Sequence, residues 1–167
     1  MLVVLVSDAS VLVDLERGGF LDSCFRLPFE FAVPDLLYRR ELEPMGGAEL
    51  DARGLRVEEL TSGELSAVQR VLGERPKLSL PDAYAYSLAS ARGWTLLTGD
   101  GELRALAQTS QVPFFGVLWV LDQFFDGQVI EATVIATGLE SIAAHPRCRL
   151  PRTEIQVRLE RYCKPKT

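Results

Sequence analysis

The chain begins with a short run in which every residue is apolar. Residues 2–6 read Leu-Val-Val-Leu-Val, and Ser7 and Asp8 follow directly. A strand with no polar position is typical of a parallel sheet that helices cover on both faces, because neither face then meets water. The run lacks a basic flank and is too short to cross a bilayer or to act as a signal peptide. We therefore expect a buried first strand and no membrane association.

Further along the chain, short apolar segments alternate with amphipathic ones, and this alternation is typical of an α/β domain with a mainly parallel sheet. The predicted strands lie at 2–6, 29–33, 55–60, 94–97 and 112–115. The predicted helices lie at 11–17, 20–26, 34–42, 48–52, 63–73, 79–92, 102–107, 116–125, 130–143 and 153–162. We expect one domain over 1–167, with a core at about 1–127 and a helical C-terminal extension at about 128–167.

Charge is distributed unevenly along the sequence. The formal net charge of −5 divides into +5 for 147–167 and −10 for the remainder. A net negative chain does not hold duplex nucleic acid by bulk electrostatics, since phosphate contacts need Lys and Arg. The basic residues of the last stretch are Arg147, Arg149, Arg152, Arg158, Arg161, Lys164 and Lys166.

Cysteine and histidine are too sparse for a zinc site of ordinary ligand spacing. The three cysteines form no CxxC pair, and His145 is the single histidine. An odd number of widely spaced cysteines suits a reducing compartment better than a disulfide framework. We therefore expect a cytoplasmic protein.

Four acidic residues fall where a parallel sheet places its ligands. Asp8 follows the first strand, and Asp100 follows the strand at 94–97. Asp82 lies in the first turn of the helix before that strand, and Glu41 lies near the end of the helix at 34–42. Ligands of open α/β sheets bind beyond the carboxyl ends of the strands, and clustered carboxylates need a cation among them. Oxygen ligands suit Mg²⁺ or Mn²⁺, although helix capping alone would also explain each Asp.

Four segments of the sequence resemble the motifs of the PIN-domain family. The first, Val3 to Val13, has a strand that delivers Asp8 and then a small hydroxyl residue, Ser10. The other three are 33–42 with a Glu before Leu, 80–93 with an Asp-Ala helix, and 94–103 with a Thr-x-Asp turn. The resemblance covers roughly residues 2 to 117. It implies a three-layer α/β/α fold with a central, mainly parallel sheet of four to five strands.

The resemblance also implies an activity and roles for particular residues. Many small bacterial PIN proteins are VapC-type toxins, metal-dependent ribonucleases that an antitoxin protein holds inactive. Carried over to this sequence, the catalytic metal ligands for Mg²⁺ or Mn²⁺ would be Asp8, Glu41, Asp82 and Asp100. Ser10 and Thr98 would orient those ligands through hydroxyl groups, and Glu102 would be an auxiliary acid. Glu43 would project about 200° from Glu41 on a continuous α-helix, so the two acids would not share one site.

The sequence is also compatible with other functions. A PIN-like module that binds RNA or protein without cleaving it would keep the same fold. A haloacid-dehalogenase-like phosphatase would need a second Asp where this chain has Ser10, together with a general acid that the sequence does not offer. The expected partners are an RNA substrate, an antitoxin and a second copy of the chain, with Phe124 and Phe125 as an exposed groove for one of the proteins. The basic segment from Arg147 onward is a candidate for contact with the RNA backbone.

Overall fold

A five-stranded parallel sheet organises the chain. The computed structural model describes residues 2–164, and its strands are β1 (Val3–Ser7), β2 (Phe29–Pro34), β3 (Arg56–Glu58), β4 (Thr95–Leu97) and β5 (Phe114–Phe115). Their order in the sheet is β3-β2-β1-β4-β5, and all four pairings are parallel. The structure therefore confirms the predicted α/β fold with a mainly parallel sheet of four to five strands.

The first strand is central, as its composition predicts. Leu5 and Val6 are both fully buried, and because successive side chains of a strand point to opposite faces, they enter the two different apolar cores of the molecule. The strand lies one residue further along than predicted, since Leu2 is 57% exposed and Ser7 pairs with Leu97 of β4. This register carries β1 directly to Asp8, whose backbone N–H donates to the Leu97 carbonyl at 2.9 Å.

Helices cover both faces of the sheet. They are α1 (Ala9–Arg17), α2 (Leu21–Cys24), α3 (Asp35–Leu37), α4 (Gly47–Ala52), α5 (Ser62–Glu74), α6 (Leu80–Arg92), α7 (Gly101–Thr109), α8 (Val117–Asp126), α9 (Ala132–Ala144) and α10 (Arg152–Cys163). Helices α1, α8 and α9 pack on the face that includes Leu5, and α5, α6 and α7 pack on the face that includes Val6. None of the helices between residues 2 and 164 combines the length and apolar character that a bilayer crossing needs.

The predicted helix at 34–42 is wrong as one continuous α-helix. Helix α3 has only three residues, a π-helical turn follows at Tyr38–Leu42, and a 3₁₀ turn follows at Glu43–Met45. Proline has no backbone N–H to continue an α-helical ladder, so Pro44 stops the helix, while the Glu43 N–H bonds back to the Tyr38 carbonyl five residues earlier. The angle of about 200° between Glu41 and Glu43 assumed an unbroken α-helix and does not apply to this turn.

Apolar residues join the C-terminal helices to the rest of the domain. Ile135 and Leu139 of α9 lie in the same core as Leu5. Phe124 is also part of this core and is fully buried, and Phe125 is half-buried, so the predicted exposed Phe124–Phe125 groove is wrong. The reason is that Phe124 faces the core that α1 and α9 also enter. The proposed boundary at about 127 between core and extension stays a prediction.

Two basic residues of the C-terminal segment form ion pairs within the molecule. Asp122 of α8 accepts from Arg158 at 2.9 Å, Arg161 at 3.2 Å and the Tyr162 hydroxyl at 2.7 Å. Arg161 also pairs with Asp126. These contacts fasten α10 to α8 and partly neutralise the positive stretch. Lys166, one of the basic residues predicted to contact RNA, lies outside the described residues.

The close approach of α9 to the loop after α1 gives a stability prediction. A Cβ at Gly138 would lie 2.1 Å from Phe20 Cζ and 2.6 Å from the Gly18 carbonyl oxygen. Gly138→Ala must displace this helix or ring, so we expect the free energy of unfolding in urea to fall by about 1–3 kcal/mol. Gly73→Ala is the matched control, since a Cβ there meets nothing within 4 Å and should raise stability by roughly 0.5–1 kcal/mol. Equal stability of the two variants would contradict this packing.

Candidate metal centre

Asp8 is the most completely held carboxylate at the carboxyl end of the sheet. It caps the N-terminus of α1, and its Oδ1 accepts from the Val11 N–H at 2.9 Å and the Ser10 hydroxyl at 2.8 Å. Its Oδ2 accepts from the Thr98 hydroxyl at 2.5 Å. The residue is only 1% exposed. Burial raises the pKa of Asp8, while the hydrogen bonds from Thr98, Val11 and Ser10 act to lower it.

The turn after β4 is built around the same carboxylate. The Thr98 hydroxyl donates to Asp8 and accepts from the Asp100 N–H at 3.0 Å. The Ser10 hydroxyl donates to Asp8 and accepts from the Gly99 N–H at 3.1 Å. A Cβ at Gly99 would lie 3.1 Å from Ser10 Oγ, so this approach favours glycine. Ser10 and Thr98 therefore make the contacts that an orienting role requires, and they fix the turn that presents Asp100.

Asp100 caps a helix and is also a candidate metal ligand. Its Oδ1 accepts from the Leu103 N–H at 2.9 Å and so caps α7. This contact holds the side chain in place and leaves Oδ2 for another partner. Capping and ligation are therefore compatible here, and the structural explanation of Asp100 does not compete with the functional one.

The negative charges of the other three acids affect the pKa of Asp82. It lies in the first turn of α6, where its N–H donates to the Ser79 hydroxyl at 3.2 Å, and it is half-buried. Burial, and then the negative charges of Asp8, Asp100 and Glu41, together raise the pKa of Asp82 to about 6, against the lowering effect of the Ser79 hydrogen bond. All four predicted acids therefore act on one region at the carboxyl end of the sheet.

Glu41 and Glu102 stand at the margin of this region. Glu41 is exposed on the π-helical turn that follows α3, and α3 packs against α6. Such turns occur frequently at functional sites, because they re-aim side chains within a helix. Glu102 lies 3.6 Å from the guanidinium of Arg75, which draws its carboxylate toward α5. The assignment of these residues as a ligand and an auxiliary acid stays a prediction.

The donor chemistry fits Mg²⁺ or Mn²⁺, although the acids are not drawn together as a finished cage. Within residues 2–164 no three His, Cys, Asp or Glu side chains lie close enough to hold a metal ion as they stand. The donors on offer are carboxylate oxygens, which hard divalent cations prefer. The raised pKa of Asp82 comes first from burial and then from the charges of Asp8, Asp100 and Glu41, and a bound cation would favour the ionised form against both. Asp8, Asp82, Asp100 and Glu41 are thus the residues that could hold the ion.

One residue near the acids was not singled out from the sequence. Arg104 follows Asp100 by four residues, one turn of α7, and its Nε lies 3.4 Å from the Thr98 carbonyl oxygen. The spacing of four residues between Asp100 and Arg104 could have indicated this position from the sequence, because residues four apart lie on one face of a helix.

The acids lie away from the cavity between α5 and α6. That cavity has a volume of about 490 Å³, and its lining includes Arg70 and Ser87 but none of the four acids. Glu41 is exposed and Asp82 and Asp100 are half-buried, so the acidic region opens to solvent, where a polymeric substrate can reach it.

The raised pKa of Asp82 predicts a stability change that depends on pH. Its folded-state pKa of about 6 exceeds the ordinary aspartate value of 3.8, so ionisation of Asp82 destabilises the fold fully above pH 6 and not at all below pH 3.8. We expect Asp82→Asn in EDTA at pH 8 to raise the melting temperature by a few degrees, and this gain to vanish as the pH falls toward 4.

Asp51→Asn, at an exposed position of α4, is the matched control and should leave the melting temperature unchanged. A melting temperature of Asp82→Asn at or below the wild-type value at pH 8 would show that burial and the neighbouring charges do not disfavour the ionised form of Asp82. Differential scanning fluorimetry across pH 4–8 measures both proteins.

Comparison with known proteins agrees with this geometry. The family model DUF3368, described as a PIN domain, matches residues 4–163. Among 12 matching solved chains is the crystal structure of PAE2754 from Pyrobaculum aerophilum, with 20% identity and a TM-score of 0.53 over 74% of this chain and 96% of that chain. At that identity the likeness shows the fold alone. No curated protein matches the sequence.

The family match spans nearly the whole described chain and includes every predicted site residue. Its extent reaches α9 and α10, beyond the segment whose motifs resemble the family. PIN domains are generally nucleases. With the parallel sheet and the four acids at its carboxyl end, the match shows that this chain belongs to the PIN-domain family.

Proposed function

We propose that the chain is a divalent-metal-dependent ribonuclease that hydrolyses RNA phosphodiester bonds. The observation that supports this most strongly is geometric: buried Asp8 is held by the Ser10 and Thr98 hydroxyls, and the same Thr98 hydroxyl accepts from the Asp100 N–H, so one hydrogen-bonded unit presents two candidate ligands at the carboxyl end of the sheet. The charges of Asp8, Asp100 and Glu41 also contribute to the raised pKa of Asp82, after burial. A divalent cation would offset this like-charge repulsion when it binds.

The protein's own residues prepare this site. Asp8, Asp82, Asp100 and Glu41 would hold Mg²⁺ or Mn²⁺, and a bound ion of this kind supplies an activated water and stabilises charge on the phosphate oxygens. Ser10 and Thr98 fix the Asp8 carboxylate, and the α7 cap fixes Asp100. Asp82 must be ionised to serve as a ligand, so its protonation below about pH 6 would oppose metal binding.

Net charge is consistent with this proposal. The body of the chain carries −10, so without a cation the carboxyl end of the sheet repels a phosphate backbone. A bound divalent ion reverses that effect locally. Ser10 occupies the position at which a haloacid-dehalogenase-like phosphatase would carry its second Asp, and it is engaged on Asp8 and Gly99, which disfavours that alternative.

Cleavage of a fluorescently labelled single-stranded RNA tests the proposal. We expect wild-type protein to cleave in Mn²⁺ or Mg²⁺ and EDTA to abolish cleavage. Asp100→Asn should slow cleavage by at least about 100-fold, since loss of a ligand weakens metal binding at least as much as loss of an outer contact. Asp51→Asn, which removes an exposed carboxylate of α4, is the control with unchanged activity.

Two results would contradict a ribonuclease. One is cleavage that persists in EDTA or is equal in wild type and Asp100→Asn, which would point to a contaminating enzyme. The other is RNA that binds to wild-type protein but stays intact with either metal. That outcome would favour the alternative, a PIN-like module that binds RNA or protein without cleaving it.

The proposal extends to a biological role as the toxin of a toxin–antitoxin pair, acting on cytoplasmic RNA as a homodimer. Its support is the PIN fold, which carries the four acids. Induced expression of wild type in a bacterium should arrest growth, and expression of Asp100→Asn at equal level should not. Equal growth of the two strains would contradict the toxin role without bearing on RNA cleavage in vitro.

A further inference from the structure

The segment that joins α9 to α10 carries three arginines and no acidic residue. From residue 145 it reads His-Pro-Arg-Cys-Arg-Leu-Pro-Arg, so residues 145–152, which we call the arginine loop, have a formal charge of +3 with the histidine neutral. Arg147, Arg149 and Arg152 are all exposed, and among residues 2–164 no carboxylate pairs with any of them. The two arginines further along α10 differ, because aspartates of α8 neutralise them. The arginine loop is therefore a patch of available positive charge.

The arginine loop is held in one shape by its other residues. The His145 carbonyl oxygen accepts from the Cys148 N–H at 2.9 Å, and His145 Nδ1 accepts from the Arg147 N–H at 3.1 Å. Cys148 and Leu150 are partly buried against the core that α1, α8 and α9 share. Because the residues on either side of Arg149 are anchored, little backbone entropy is lost when the arginines bind a ligand.

Ion pairs place the start of α10 at the carboxyl end of the sheet. Helix α8 begins just after β5, at that end. Arg158 pairs with Asp122, whereas Arg161 also reaches Asp126, one turn later, so α10 runs in the same direction as α8. At 1.5 Å per residue, Asp122 lies about 7.5 Å along α8 from its first residue, and Arg152 lies about 9 Å before Arg158. Arg152 is therefore nearly level with the start of α8.

Contacts of α9 give the same placement independently. Gly138, in the middle of α9, lies against the loop after α1, whereas His145, at the end of α9, lies near Asp14, further back along α1. Burial raises the pKa of Asp14, the charges of Arg17 and His145 act to lower it, and the charge of Asp8 acts to raise it. Helix α9 therefore runs toward the end of α1 that Asp8 caps, and the arginine loop follows there, on the α1 side of the acidic region.

We propose that the arginine loop binds the phosphate backbone of the single-stranded RNA that the acidic region cleaves. The inference rests on the proposed function, since it names the surface that holds the substrate. Residues 1–146 have a net charge of −10 and repel a polyanion, so affinity for RNA needs a local surface of the opposite sign. Arginine suits phosphate because its guanidinium donates two parallel hydrogen bonds and stays charged.

The exposed side chains of the arginine loop favour RNA over a protein partner. Interfaces between proteins have an apolar centre. Here the apolar side chains between the arginines, Cys148 and Leu150, pack toward the core, so the loop offers mainly charge. A phosphate backbone is bound through charge and needs no apolar contact. A strand held at this end of the sheet also lies where the candidate metal ligands are.

Equilibrium binding tests the arginine loop without cleavage. We would measure the Kd of a 5′-fluorescein oligouridine and of an abasic oligomer of equal length by fluorescence anisotropy over a salt series, in EDTA and again in Ca²⁺. Each of Arg147→Gln, Arg149→Gln and Arg152→Gln should raise the Kd about fivefold at about 0.1 M salt. Each should also reduce the slope of log Kd against log salt by about 0.7, the value for one single-strand phosphate contact. The loss should be equal for both oligomers, because the backbone is bound and not the bases.

Combined variants and a matched control sharpen this test. The three Gln substitutions together should raise the Kd about 100-fold. Arg147→Lys, Arg149→Lys and Arg152→Lys together keep the charge and should retain the wild-type salt slope. Arg70→Gln is the control with unchanged Kd: Arg70 is also exposed and without a carboxylate partner among residues 2–164, but it lies on α5, over the opposite face of the sheet. Melting temperatures confirm that all variants fold.

Several outcomes would overturn the inference. They are an unchanged Kd and salt slope of the triple Gln variant, a loss confined to oligouridine, and no binding of either oligomer to wild type. Weaker binding of a fluorescein-labelled oligoglutamate by the triple Gln variant, with unchanged RNA affinity, would instead identify the loop as a surface for an acidic protein.

The ribonuclease and the arginine loop fail separately. Binding in EDTA requires no cleavage, so a wild type that shows the expected pattern but cuts no RNA supports the loop and contradicts only the ribonuclease. A wild type that cleaves RNA in Mn²⁺, with a triple Gln variant that binds RNA equally tightly, contradicts only the loop.

Discussion

The hydrogen bond from the Thr98 hydroxyl to Asp8 is the contact on which the site depends. Asp8 is buried, and an ionised carboxylate without partners at such a place would be strongly unfavourable. Its oxygens therefore accept from two hydroxyls and one backbone N–H, and those donors belong to the turns after β1 and β4. Satisfying one buried carboxylate thereby fixes two loops relative to each other, together with the cap of α7 that presents Asp100.

This arrangement relates stability to function at the carboxyl end of the sheet. Each of Asp8 and Asp100 stabilises a helix N-terminus as a cap, and each is held in one orientation by the same bonds. Asp82 caps no helix, and the charges of the neighbouring carboxylates add to burial in raising its pKa. The helix caps formed by Asp8 and Asp100 thus offset part of the free-energy cost of bringing like charges together. A bound cation would offset the rest. A site of this kind is less stable without its ion than a neutral one would be.

The parts of the fold that follow from local physical chemistry could be predicted from the sequence. The all-apolar run gives a central strand, and the Asp residues after β1 and β4 lie at the carboxyl edge because parallel strands share that edge. The π-helical turn could not be predicted, because it depends on how Pro44 and Gly47 pack back on the preceding turn. The burial of Phe124 was missed for a related reason, since it depends on how α1 and α9 pack against α8 rather than on α8 itself.

Which charged residues form ion pairs within the fold also could not be predicted from composition. The basic C-terminal segment suggested a surface for RNA, yet Arg158 and Arg161 are neutralised by Asp122 and Asp126 and hold α10 in place. Arg104 belongs to the part of the chain with a net charge of −10, so composition gives no sign of it. Its Nε lies 3.4 Å from the Thr98 carbonyl oxygen, and no carboxylate among residues 2–164 pairs with it. A cation that is paired stabilises the protein, whereas an unpaired one remains available to a ligand. The electrostatics of recognition therefore depend on which charges the fold leaves unpaired, and only the three-dimensional packing determines that.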